Sequence, residues 1–323
     1  MAKRAKKVAQ AKPARFGKLR IAVIMGGTSD ERAVSLNTGK TVLAHLDRTK
    51  YQPRPLLMDK KGEWRRKLSP TNTDLVFNAL HGPIGEDGHV QGYLELLGLP
   101  YTGSGVAASA IGMDKIFSKI VFESLRLPVP AGVAIGPGEP FDPQQFIRPH
   151  GLPAVVKPTN NGSSIGVVIV DSAEALGRAV EQTVSHYGRA LIERFVPGRE
   201  LTVPVLGNER PRPLPVIEII PKGRTFFDYN AKYTSGGALE ETPATLPDVL
   251  AQQAQQLAVQ AHKALGCRGY SRIDLRLTPA NHFKILEINT LPGLTAESLL
   301  PKSAAAAGLT YAELLDEIIR LAV

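Results

Sequence analysis

The apolar run LRIAVIM (19–25) passes directly into Gly26-Gly27, and helical spacing follows from about residue 29 to residue 46. Strand, glycine turn and helix in that order form the unit of a parallel α/β sheet, which excludes an all-β or all-helical start to the chain. Further strand-like segments at LVFNAL (75–80) and around LPYTG (99–103) extend the unit into a first domain over residues 18–113.

A second segment, residues 114–192, opens with the helical DKIFSKIVFESL. It continues with PAVVKP (153–158), the loop NNGSSIG (160–166) and VVIV (167–170), which read as a hairpin. LIERFV (191–196) follows a helix as another strand. Residues 193–323 hold ELTVPVL, PLPVIEII, a polar loop, a long helix, the strands RIDLRL and FKILEIN, and a closing helix. The long helix carries Leu250, Ala254, Leu257, Ala258, Ala261 and Leu265 at helical spacing, with Asp248 as its expected cap and Gly266 as its end. Thr310 and Glu313 have capping-box spacing for the last helix.

Three such segments suit a chain of 323 residues, which exceeds the usual size of one core. Seven of the Lys and Arg behind the net charge of +9 lie in MAKRAKKVAQAKPARFGK (1–18), which has no acid, so the body is nearly neutral. Residues 1–17 read as a basic, disordered tail without the apolar core of a signal peptide. Nucleic-acid contact would rest on that tail alone. The single Cys267 excludes an intramolecular disulfide and a cysteine-built metal site, and no apolar run reaches the roughly 18 residues of a membrane helix. A cytoplasmic setting fits.

In RIDLRL the polar Arg272, Asp274 and Arg276 alternate with Ile273, Leu275 and Leu277, so the three polar side chains share a face. The same parity puts Glu287 and Asn289 on one face of FKILEIN, and Lys284 with Leu286 on the other. A hairpin with a four-residue loop at 279–282 opposes Asp274 to Glu287 and Arg272 to Asn289, with Cβ atoms about 5 Å apart. Two carboxylates there repel unless a hard cation with oxygen ligands such as Mg²⁺ lies between them, or unless Arg272 or Arg276 neutralises Glu287. Both readings stay open on the strand pair alone.

Gly39-Lys40-Thr41 imitates the end of a phosphate-binding loop, but Val34 stands where its first glycine belongs and the triplet lies within a helix. Lys157 before NNGSSIG is the better phosphate candidate, because glycines let backbone N–H groups approach an anion. Lys115 is a helix charge open to the same use. Glu193 and Glu200 are strand-end carboxylates able to accept from an adenine amino group or a ribose hydroxyl.

Taken in order, MGGTSDERAVSLNTG (25–39), HGPIGEDGHVQGYLELLGLPYTGSG (81–105), MDK (113–115), VVKP with NNGSSIG (155–166), LIER (191–194), FDYNAKY (227–233), GCRGYSRIDL (266–275) and LEINTLPGLTAESLLP (286–301) resemble the D-alanine–D-alanine ligases of the ATP-grasp superfamily. The resemblance implies an α/β, three-domain ATP-grasp fold with an N-terminal parallel α/β domain. It implies ATP-dependent joining of two D-alanines through an acylphosphate, for peptidoglycan precursor synthesis, by a homodimer. Lys115, Lys157, Ser164, Glu193, Arg194, Val196, Glu200 and Lys232 would contact ATP, and Asp274, Glu287 and Asn289 would hold two Mg²⁺, with Mn²⁺ as a substitute.

By the same resemblance Glu31 would meet the ammonium of the first D-alanine, with His81 beside it, and Ser298 and Leu299 would receive the second. From spacing alone, Thr28 and Glu31 make a capping box, His81 a hydrogen-bonded loop histidine and Ser298 a helix cap. Arg272 and the Gly293 N–H would meet the oxyanion, Ser163 and Tyr233 would link to Glu31, and residues 228–243 would form a lid. A D-alanyl-D-lactate or D-alanyl-D-serine ligase is the nearest alternative. Asn230 departs from the acid many relatives carry there. A nicotinamide dehydrogenase built on Gly26-Gly27 lacks the third glycine of its fingerprint. If the tail carried the function through nucleic acid, deleting residues 1–17 would abolish it; on the ligase reading the turnover measured by phosphate release is expected to survive the deletion unchanged.

Overall fold

The computed structural model describes residues 17–160, 165–221 and 238–323. Ser163, Ser164, Lys232 and Tyr233 lie outside the described residues, as do the tail to residue 16 and residues 228–237 of the expected lid.

The N-terminal unit runs β1 (Leu19–Gly26), α1 (Arg32–His45), β2 (Tyr51–Met58), β3 (Leu75–Asn78), α2 (His89–Leu96) and α3 (Val106–Met113). β1 lies between β2 and β3, parallel to both, which is why its residues Ile21–Ile24 can all be fully buried. Gly26 has φ +100°, and a Cβ there would stand 2.3 Å from the Met58 carbonyl, so the turn out of β1 requires glycine. Gly39-Lys40-Thr41 does lie within α1, where Gly39 packs against Met25. β2 escaped sequence reading because Pro53 and Pro55 interrupt its pattern; it is the edge strand, where a missing N–H is tolerated. LPYTG contributes only a single bridge, Val76 to Tyr101.

The central unit contains α4 (Lys115–Ser124), β4 (Gly132–Ile135), α5 (Pro143–His150), β5 (Ala154–Pro158), β6 (Val168–Val170), α6 (Ala173–Tyr187) and β7 (Ala190–Arg194). Its antiparallel sheet has the order β4-β7-β5-β6, and β5 and β6 form the expected hairpin. Phe146, Leu176 and Val180 of the helices bury against Val156 and Ile192. Asp114 breaks the path between α3 and α4 with extended backbone and caps α4 by accepting from the Ile116 and Phe117 amides.

The C-terminal unit contains β8 (Arg199–Leu206), β9 (Arg212–Pro213), β10 (Ile217–Pro221), β11 (Ala238–Glu241), α7 (Asp248–Ala264), β12 (Tyr270–Leu277), β13 (Phe283–Asn289), α8 (Leu299–Ala306) and α9 (Tyr311–Arg320). The sheet order is β11-β10-β8-β12-β13, with β9 beside β8. Asp248 does not cap α7: Pro247 occupies the cap position and Asp248 is the first helical residue. The Thr310–Glu313 capping box forms as expected, and α9 buries Leu314, Leu315 and Ile318 in the same core as Ile21, Val23 and Phe77 of the first sheet.

The β12–β13 register contains a correction. Asp274 opposes Glu287 and Arg272 opposes Asn289, but Leu277 opposes Phe283, so the loop has five residues and a bulge at Leu286 restores the expected pairs. Strict alternation therefore fails within β13. Lys284 opposes Arg276 and shares the polar face with Glu287 and Asn289.

His262 on α7 is fully buried. Its Nε2 donates to the Gly207 carbonyl at 3.2 Å, and in the neutral ring Nδ1 accepts from the Ser271 hydroxyl at 2.7 Å. Burial pushes its pKa down to about 4. The unfolded chain takes up this proton below about pH 6.5 and the folded chain does not, so His262 should cost up to about 3 kcal/mol of stability as pH falls to 4. In urea unfolding followed against pH, His262→Gln is expected to flatten that slope.

Candidate active site

A cleft of about 530 Å³ opens between the N-terminal unit and the polar face of β12 and β13, within the size range of small-molecule sites. From the N-terminal side come Glu31 and Asn37 of the turn and first half of α1, and His81 and Glu86 of the loop after β3. Glu31 is the N-cap residue of α1 and gives no side-chain cap, so the Thr28–Glu31 capping box does not form. Its carboxylate instead lies against Gly82, where a Cβ would stand 3.1 Å from Oε2. The Ser29 hydroxyl donates to the His81 carbonyl at 2.7 Å and ties this turn to the HG loop.

His81 is buried, with Nδ1 3.1 Å from Glu86 Oε1 and Nε2 3.1 Å from Thr38 Oγ1. Glu86 also accepts from the Gly82 amide at 3.0 Å. Sequence reasoning did not single out Glu86, although it lies five residues beyond His81 in the same glycine-rich loop. It fixes the imidazole and contributes a carboxylate to the cleft.

Across the cleft Asp274 accepts a two-point contact from Arg272, Nε to Oδ1 at 2.9 Å and Nη2 to Oδ2 at 2.8 Å, and a third bond from Thr202 Oγ1 at 2.6 Å. Burial alone would lower the Arg272 pKa, but the Asp274, Glu287 and Glu86 carboxylates outweigh it and hold the guanidinium above its ordinary value. Glu287 is met by Lys115 at 3.2 Å, and its charge also acts on the Arg272 guanidinium. Arg276 goes to Glu200 at 3.1 Å and to the Gly198 carbonyl at 2.9 Å. Asn289 Oδ1 accepts from the Leu291 amide at 2.9 Å.

Gly293, Ser298 and Leu299 form the cleft wall after β13. Ser298 stands at the N-cap position of α8 without capping it; its Oγ accepts from the Thr295 amide at 3.0 Å and lies 2.8 Å from the Thr295 hydroxyl. A Cβ on Gly293 would meet that oxygen at 2.9 Å. Glu240, on the strand β11 that sequence reading left as loop, and Glu297 also line this wall, both bound to Lys302.

Lys157 and Glu193 are diagonal neighbours on adjacent strands, joined at 2.7 Å, and the charges of Glu287 and Glu200, which line the cleft, act on Lys157. Burial would raise the Glu193 pKa, but Lys157 and Lys119 hold it below the usual carboxylate value. Lys119, which sequence reasoning did not single out, reaches the other oxygen of Glu193 at 3.0 Å. Arg194 is exposed and Val196 half-buried just beyond them. Glu200 lines the cleft.

The chain matches the family models for the D-ala D-ala ligase N-terminus, at residues 20–73 and 65–104, and for the D-ala D-ala ligase C-terminus, at residues 126–320. It is 45% identical over 304 residues, 94% of this chain and 98% of its relative, to a D-alanine–D-alanine ligase of Desulforudis audaxviator. The chain belongs to the D-alanine–D-alanine ligase family. Among solved structures of that family, the Bacillus anthracis D-alanine–D-alanine ligase complexed with ATP superposes with a TM-score of 0.81 at 35% identity, covering 94% of this chain and 97% of that one. The VanG D-Ala:D-Ser ligase of Enterococcus faecalis gives 0.84 at 30% identity, covering 95% and 100%.

Among the described residues no three His, Cys, Asp or Glu side chains gather as a metal cluster. The opposed Asp274 and Glu287, with the Asn289 amide two residues along, nevertheless fit a hard cation that draws its other ligands from phosphate and water. Removing the charge of Asp274 from the buried Arg272–Asp274 pair takes away the guanidinium's two-point partner and leaves only the more distant Glu287 and Glu86 charges. Asp274→Asn is therefore expected to lower stability by about 3 kcal/mol in urea unfolding, against about 1 kcal/mol for Thr202→Val.

Proposed function

We propose that this chain joins two D-alanines into D-alanyl-D-alanine, with ATP converted to ADP and phosphate through an acylphosphate, as a cytoplasmic homodimer in peptidoglycan precursor synthesis. The observation that carries this reading is the facing of Glu31 and His81 against Arg272, Asp274, Glu287 and Ser298 across one cleft, in a chain of this family. The cytoplasmic setting is supported by a single buried thiol and, among the described residues, by no helix long and apolar enough to cross a membrane. The homodimer is carried over from the family resemblance.

A carboxylate does not accept an amine at neutral pH, so one of its oxygens must first become part of a leaving group. The first D-alanine, its ammonium at Glu31 beside His81, attacks the γ-phosphorus through a carboxylate oxygen, and the bond to ADP breaks. Lys115 and Lys157 hold the phosphates, with Lys232 and Ser164; Glu193, Glu200, Arg194 and Val196 hold the adenosine. Arg272 offsets charge on the transferring group.

The second D-alanine, its carboxylate at Ser298 and its body against Leu299, then attacks the acyl carbon as the free amine. The tetrahedral oxyanion meets the Arg272 guanidinium and the Gly293 N–H, and the bond to phosphate breaks. Asp274, Glu287 and Asn289 would hold two Mg²⁺, or Mn²⁺, which when bound supply charge neutralisation at the phosphoryl group. By the family resemblance, Ser163 and Tyr233 would link to Glu31, and the segment 228–243 would exclude water from the acylphosphate.

The test is phosphate release with ATP and D-alanine, L-alanine, D-serine and D-lactate, singly and in pairs, with products identified by mass. D-Alanine alone should release phosphate and yield the dipeptide; release only when D-serine or D-lactate is added would move the assignment to the mixed ligases. Glu287→Gln should lower turnover by at least about 100-fold. Normal dipeptide synthesis by that variant would sink the metal assignment.

A further inference from the structure

Glu193 is 3% exposed and carries a lysine on each carboxylate oxygen: Lys157 Nζ at 2.7 Å from Oε2 and Lys119 Nζ at 3.0 Å from Oε1. Lys119 is itself 8% exposed and also donates to the Pro130 carbonyl, with Glu123 at 3.6 Å. The carboxylate has little room to turn. A Cβ on Gly132 of the neighbouring strand would lie 2.9 Å from the Glu193 Cγ, so the glycine leaves space for this side chain and no more.

Two ammonium groups hold one nearly dry carboxylate, which stays charged at tolerable cost only while at least one of them remains. Lys157 stands at the end of a strand ahead of the glycine-rich loop, where phosphate is expected, whereas Lys119 is anchored on α4 by two acceptors. The two lysines therefore divide the work. Lys157 is the one able to leave. If it turned to phosphate with no second cation present, Glu193 would remain buried without compensation, and binding would be weakened by that cost.

We propose that Lys119 is a positioning residue for the nucleotide: it fixes and neutralises Glu193 so that Lys157 can transfer its charge from that carboxylate to the phosphates of ATP. The inference rests on the ligase reading, in which Lys157 and Glu193 hold ATP. It adds a residue that makes no contact with the nucleotide itself.

A mere tie between α4 and β7 would affect stability and every kinetic constant together, so the readout is the separation of KM for ATP from KM for D-alanine. Lys119→Gln removes the charge and keeps an N–H donor on a side chain one atom shorter. It is expected to raise KM and calorimetric Kd for ATP by about tenfold to a hundredfold, the effect of losing one charged hydrogen bond, with KM for D-alanine unchanged. Lys119→Arg, which keeps the charge, should recover most of the ATP affinity.

Unchanged ATP constants in folded Lys119→Gln, or equal shifts in the constants of both substrates, would overturn the proposal. Should the Gln variant not fold, Lys119→Met, which keeps the length and removes the charge, decides by the same separation: a shift confined to ATP supports the role, and shifts in both substrates or in neither reject it. Wild-type protein that binds no ATP in the same titration would instead defeat the ligase reading.

Discussion

Two carboxylates face each other across adjacent strands, and most of the cleft is organised around keeping them there. Asp274 and Glu287 are directly opposed on β12 and β13, a placement that like charges resist. Each has its own cation, drawn from a different part of the chain: Arg272 from two residues away on the same strand, Lys115 from the first turn of α4. Arg276 continues the pattern with Glu200, and Lys157 and Lys119 repeat it at Glu193. These charges are thus compensated before any ligand arrives, which keeps the folded protein stable while leaving cations and carboxylates ready to exchange partners with a polyphosphate.

How much of this was legible in the sequence follows from the range of the physics involved. Strand parity is a local property, and it correctly put Asp274, Arg272, Glu287 and Asn289 on one face. The loop length and the Leu286 bulge are two errors of register that cancel at the site and not beyond it, so Lys284 came out on the wrong face. The partner of Glu287 could not be read locally at all, because Lys115 precedes it by more than 150 residues. Lys119 and Glu86 were missed for the same reason: their type and spacing are those of ordinary surface charges, and only tertiary packing buries them against Glu193 and His81.

Misreadings of the elements have equally specific causes. Asp248 and Ser298 have cap-like identities but do not cap, since Pro247 holds the N-cap position of α7 and the Thr295 turn takes the Ser298 hydroxyl. β2 carries prolines that argue against a strand, and its place at the sheet edge removes the objection. In contrast, β1 was clear because burial on both faces is written into an unbroken apolar run.

One residue joins these observations into a single mechanical unit. Asp114 takes extended backbone between α3 and α4, ends one helix and caps the next. On its N-terminal side Gly112 packs on Thr290, where a Cβ would come within 2.6 Å of the threonine methyl, so α3 lies hard against the end of β13. On its C-terminal side, four-residue spacing on α4 sends Lys115 to Glu287 of the C-terminal sheet and Lys119 to Glu193 of the central sheet. Arg189, preceding β7, closes on Asp114 itself. A continuous helix through residue 114 would rotate α4 relative to α3 and could not serve both sheets at once. The break is what lets one short helix set the charge at two sites in different parts of the fold.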